Sequence, residues 1–218
     1  MLKTLLFSAA MLLPVTVLAA PVGVTLSPNK AITKFQGTAF RRTLPEWKAP
    51  RGKKKIIDTI GTGSNAYNCC DGWTVSNSGS ETGATQWVAY AITPKKNATV
   101  SEIVEAIGYV AGGDSVTIAL LADNSGSPGA VLEQKTVKNL ETFGDCCTLA
   151  KAKLKTGIPV TAGTTYWVAA ILPSKKQATT WDAWNLSTAN TNTSTFAYYN
   201  GVWNVTTAQY AAFAVYGD

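Results

Sequence analysis

Residues 157–185 read GIPVTAGTTYWVAAILPSKKQATTWDAWN, and the fold class turns on this stretch. Ala162-Gly163 makes a turn. From Thr164 to Leu172 the chain then alternates: Tyr166, Val168, Ala170 and Leu172 on one side, Trp167, Ala169 and Ile171 on the other. That is the period of an extended strand. Both sides are apolar, so the strand is expected to be central, with no simple solvent face. Lys175 and Lys176 make the next loop basic, and Trp181, Asp182 and Trp184 follow it.

Outward from this strand the same pattern repeats. Residues 86–92 alternate Trp87, Ala89 and Ala91 against Val88, Tyr90 and Ile92. Residues 99–110 fit a strand or a helix with a Val100, Ile103, Val104, Ile107 stripe; their β-branched content and the Gly112-Gly113-Asp114 turn favour strand. Residues 115–121 and 131–137 flank DNSGSPG at 123–129, which predicts a hairpin. A plain turn is favoured there over a Ca²⁺ loop, because Asp123 and Asn124 alone cannot supply six oxygens. Asn200-Gly201 between 196–199 and 202–205 is a second hairpin signal, and 210–216 forms a last strand. Short strands with frequent turns and little helix predict an all-β, antiparallel β-sandwich or barrel.

The N-terminus differs. Residues 1–19 have Lys3, a short apolar run and Val17-Leu18-Ala19, the pattern of a cleaved export signal. The run is too short for a good spanning helix, so the mature chain is expected to be secreted or periplasmic with no membrane span. Residues 30–58 hold nine Lys and Arg against two acids, whereas 59–218 hold nine Lys against eleven acids. The net charge of +6 therefore belongs to a basic, poorly structured arm over 20–60, ahead of a near-neutral domain over 61–218. Such an arm can hold anionic polymer; export argues against nucleic acid as the partner. Cysteine occurs as two adjacent pairs, Cys69-Cys70 and Cys146-Cys147. In an exported chain these are expected to form disulfides, and the long loop closed by a cross-link favours bonding between the pairs. Adjacent cysteines fit a zinc site poorly.

Several stretches occur in one order: WVAYAITP at 87–94, IGYVAG at 107–112, VTIALLADNSGSPG at 116–129, CC at 146–147, TAGTTYWV at 161–168, WDAWN at 181–185 and FAVYG at 213–217. Together they resemble the bacterial exported β-sandwich domains called choice-of-anchor proteins. The resemblance covers about residues 73–218 and implies a jelly-roll-like sandwich and an exported or surface life, with no defined activity. Members often end in a sorting tail, which this sequence does not show after Asp218.

The chain has no His, which removes Ser-His-Asp and Cys-His catalysis and His-based metal sites. A glycosidase needs two facing carboxyl groups, and Asp182 has no evident second. The expected function is non-catalytic, with no cofactor and no metal: binding of an extracellular ligand such as carbohydrate, through Trp181, Asp182, Trp184, Tyr199 and Trp203. Tyr198 belongs to the same aromatic third of the chain. That reading requires these aromatics to be exposed, since large aromatic side chains more often fill a core. The alternatives are a structural envelope or matrix protein whose basic arm contacts anionic polymer, and a glycan-acting enzyme.

Overall fold

The computed structural model describes residues 25–28, 33–36, 47–50, 52–144 and 149–218. The expected export signal lies outside these residues. The described chain forms an all-β, mostly antiparallel fold: β1 (Thr25–Pro28), β2 (Thr33–Gln36), β3 (Lys54–Asp58), β4 (Asp71–Ser76), β5 (Trp87–Ile92), β6 (Ala98–Glu105), β7 (Ile107–Ala111), β8 (Ser115–Asn124), β9 (Ser127–Lys138), β10 (Ala150–Val160), β11 (Tyr166–Ile171), β12 (Trp181–Asn185), β13 (Thr193–Tyr199), β14 (Trp203–Gln209) and β15 (Phe213–Gly217). Its helical content is two single 3₁₀ turns, Gly63–Asn65 and Lys175–Gln177.

The strands make three sheets. Sheet A has the order β1-β2-β4-β12-β7, sheet B β10-β6-β15-β3, and sheet C β14-β13-β5-β11-β8-β9. Sheets A and B join at Ala106, between β6 and β7. There the Ala106 N–H donates to the Ala212 carbonyl, Asn185 N–H to Ala106, and Ala212 N–H to Asn185, each at 2.9 Å. The joint lets one continuous strand serve two sheets without stranding a buried backbone group.

The main core unites side chains from all three sheets. Val88, Tyr90, Ile92, Ile118, Leu120, Val168 and Phe196 of sheet C pack with Val75, Ile103, Ile107, Trp184, Phe213 and Val215 of sheets A and B. The alternation expected of 164–172 places Val168 and Ala170 in this core and Trp167, Ala169 and Ile171 in a second cluster on the other face of sheet C. β11 lies between β5 and β8, the central place its two apolar faces predict. Residues 98–111 are strand, as the β-branched content favours. In the 123–129 turn, Ser125 and Gly126 are both left-handed, and Asp123 Oδ2 accepts the Gly126 N–H at 2.9 Å. It is a hairpin turn.

Two expectations change. The described part of 20–60 is not a separate arm: β2 pairs with β4, and β3 pairs with β15. These strands are only four or five residues long, too short for alternation to show amid Pro and Lys. The expected disulfides are also corrected. Cys69 and Cys70 are free thiols, so no bond joins them to each other or to the second pair; Cys146 and Cys147 lie outside the described residues. Adjacent Cα atoms stand about 3.8 Å apart across a trans peptide, closer than ordinary disulfide geometry spans. Cys69 is half-buried against the Tyr67 carbonyl and the adjoining apolar cluster, and burial, with Cys70 beside it, pushes its thiol up to about 11.

Candidate functional site

The expected site divides. Trp181, Asp182 and Trp184 lie on β12, which is paired on one side with β4 and on the other with β7. A strand in mid-sheet with layers on both faces exposes nothing, and all three residues are buried. Trp184 meets Tyr90 edge-on at 5.5 Å and Phe213 at 5.7 Å, and its Nε1–H donates to the Ala212 carbonyl at 3.1 Å. Trp181 packs on the opposite face with Val110, Ala111 and Phe143. Neither indole can stack on a ligand. Asp182 has no hydrogen-bond partner for either oxygen among the described residues. Burial, and then the neighbouring Asp114, holds its carboxyl well above the usual range. It is a sealed acid, not a group that contacts substrate.

Tyr199 and Trp203 are different. They face each other across the β13–β14 hairpin, and Trp87 of β5 is the other neighbour of Tyr199. The Trp87 and Tyr199 rings stack at 4.6 Å with 16° between planes, and Tyr199 meets Trp203 at 5.4 Å in an edge contact. All three are partly exposed. The Trp87 Nε1–H donates to Asn77 Oδ1 at 3.0 Å, which fixes the indole of the middle strand. Trp87 stands in the quoted WVAYAITP stretch but was not among the expected site residues. Its alternation marks it as sharing a face with Ala89 and Ala91; its pairing with Tyr199, more than a hundred residues later, leaves no local trace.

The register extends this array into a surface. Beside the aromatic row lies a row of alanines, Ala197, Ala89, Ala169 and Ala119, one from each of four neighbouring strands. Beyond it come Ala91, Trp167 and Leu121. The four alanines of the row and Trp167 have no exposure at all, whereas Ala91 is half-buried. The edge strands β14 and β9 approach one another, so sheet C curls, with the alanine row on its concave side. Small side chains permit that curvature, because two facing rows of larger ones would collide.

At the far end of the curl is an open pocket of about 470 Å³, lined by Thr93, Thr165, Ser194, Thr195 and Tyr210 with Asp123 and the edge of Trp167. Asp123 Oδ1 accepts the Trp167 Nε1–H at 2.8 Å. The hydroxyls there can donate to or accept from a polar ligand. Sheet C thus carries a partly exposed aromatic cluster at one end and borders a pocket of mixed hydroxyl and apolar lining at the other.

No family model, curated protein or solved structure matches the chain. Among the described residues, no group of three His, Cys, Asp or Glu could hold a metal ion, and no helix is long and apolar enough to cross a membrane.

Proposed function

We propose that the chain is an exported, non-catalytic, jelly-roll-like β-sandwich module that binds extracellular carbohydrate on sheet C. The observation that carries this reading is the Trp87–Tyr199–Trp203 array, three aromatic rings in contact on one partly exposed face. Aromatic faces pack against the apolar faces of sugar rings, while neighbouring polar groups bond to hydroxyls. Asn77, Asn200 and Asn204 flank the array; Asn204 Nδ2 donates to Asn200 Oδ1 at 3.0 Å, a polar rim beside the platform. A non-catalytic role is supported by the burial of Asp182 and Glu105, carboxyls that water and substrate do not reach. The ordered motifs shared with choice-of-anchor domains fall on β5, β7, β8, β11, β12 and β15, and they support the same lineage and an exported life.

The test is affinity electrophoresis against neutral glucans, mannans and xylans. Trp203→Ala and Tyr199→Ala should each weaken retardation by about tenfold, the equivalent of roughly 1.4 kcal/mol. Circular dichroism should stay unchanged, because both rings are at the surface. Unchanged retardation in both variants, or no retardation of the parent chain by any neutral glycan, would reject the reading.

A further inference from the structure

A second site is built on the outer face of sheet B, opposite the main core. The cross-strand register there places Lys153 beside Glu102, Glu102 beside Tyr216, and Tyr216 beside Lys55. Trp47, from the segment ahead of β3, packs onto this face against the cluster of Val104, Ala214 and Tyr216. The Lys151 ammonium stands over the Trp47 ring at 5.0 Å. The result is a cleft of about 400 Å³ between Trp47 and Pro50 on one side and Lys151 and Lys153 on the other, with Lys48 and Lys53 also lining it.

The charges in the cleft do not balance. Glu102 is buried and already taken: Lys53 Nζ reaches its Oε2 at 2.8 Å. Lys48, Lys151 and Lys153 make no ion pair among the described residues. Lys151 and Lys153 point the same way along β10, about 7 Å apart at the backbone, so each raises the cost of the other. Lysines on an edge strand can serve simply to prevent edge-to-edge pairing, and β10 is an edge. That purpose does not explain why Lys48, Lys53 and an aromatic ring converge on the same spot from a distant segment.

We infer that this cleft binds an acidic saccharide, one bearing carboxylate or sulfate groups. Three lysines without an ion pair among the described residues supply positive charge for such groups, and the half-buried Trp47 ring lining the cleft supplies apolar surface for a sugar. The inference does not rest on the neutral-glycan reading of sheet C, which uses other residues on another sheet.

The experiment measures binding of the whole chain to polygalacturonate, to heparin and to neutral dextran at low and at moderate salt. Lys151→Glu/Lys153→Glu is compared with Lys175→Glu/Lys176→Glu, which changes net charge equally on the exposed 3₁₀ turn after β11. The first double variant should weaken acidic-polymer binding by about tenfold or more, and Trp47→Ala should weaken it as well. The second should change it by less than about twofold, and dextran binding should not follow either. Retention on polygalacturonate, heparin or both identifies the anionic group. The inference is overturned if neither acidic polymer binds, if the two double variants weaken binding equally, or if duplex DNA binds as tightly as the saccharides. The last two outcomes would mean general attraction of polyanions and not a site.

Discussion

Glu105 and Asp182 place two carboxyl groups inside the protein with no hydrogen bond to any of their oxygens among the described residues. Burial holds the carboxyl of Glu105 well above its ordinary range, and burial with Asp114 does the same for Asp182. In the unfolded chain such groups release their protons near pH 4. The folded state keeps them to higher pH, so it binds more protons than the unfolded state once pH exceeds about 4. Stability is then greatest in acid and is lost as pH rises toward the folded values. The urea midpoint should therefore fall between about pH 5 and pH 8, and Glu105→Gln and Asp182→Asn should each flatten that slope. Identical slopes in the parent and both variants would show that neither group titrates in this way. Cys69 gives a separate prediction. With its thiol pushed up to about 11, the thiolate is a minor form at neutral pH. Iodoacetamide should label Cys69 far more slowly than a free thiol model, and the rate should rise about tenfold per pH unit up to about pH 10. Fast labelling at pH 7 would contradict the buried placement.

The alanine row of sheet C shows what a strand encodes and what only pairing reveals. Alternation within 86–92 and 164–172 correctly separates Ala89 and Ala169 from Val88, Val168 and Tyr90. It does not show that Ala197, Ala89, Ala169 and Ala119 stand side by side, because that depends on register between distant segments. The same limit explains the misplaced binding residues. WDAWN looks amphipathic in isolation, with Asp182 between two indoles. Its burial follows from Tyr90 and Phe213 packing on one face and Val110 and Phe143 on the other, all distant in sequence. The pairing of Tyr199 with Trp203 was legible because a tight hairpin beside Asn200-Gly201 brings them together locally. If the alanine row is what lets sheet C curl, enlarging it must cost stability. Ala169→Leu should lower stability by about 1–3 kcal/mol through overpacking. Val205→Leu, at the exposed end of the same row next to Ala197, should be nearly neutral. Urea denaturation of both variants decides the matter; equal midpoints would mean that the concave side has room to spare.

At the scale of the whole molecule, the all-β, mostly antiparallel frame was legible from strand count and turn spacing, while the contribution of the N-terminal segment was not. Charge density over 30–58 suggested a solvated lead-in. Yet β3 forms an edge of sheet B, Ile56 and Ile57 pack against the main core, and Trp47 packs on the outer cluster. Just past β3, the Thr59 hydroxyl donates to the Ala211 carbonyl at 2.8 Å and accepts the Phe213 N–H at 2.9 Å, which fastens the segment to the start of β15. The lysines remain compatible with the fold because these ammonium groups find carboxylates: Lys55 with Asp58 at 2.6 Å, Lys53 with Glu102 at 2.8 Å, and Lys34 with Asp71 at 2.9 Å. Two truncations separate the roles. A chain beginning at residue 47 keeps β3 and Trp47 and gives up β1 and β2, at the far edge of sheet A. It also loses the Lys34–Asp71 pair, worth about 1 kcal/mol or less where exposed. A chain beginning at residue 59 also loses the apolar burial of Ile56, Ile57 and Trp47, which should cost a further 2–4 kcal/mol or so. The urea midpoint should therefore drop modestly for the first chain and sharply for the second. If the second chain unfolds at the same urea concentration as the first, residues 47–58 are the dispensable lead-in that their charge suggested, and the edge pairing of β3 contributes nothing to the fold.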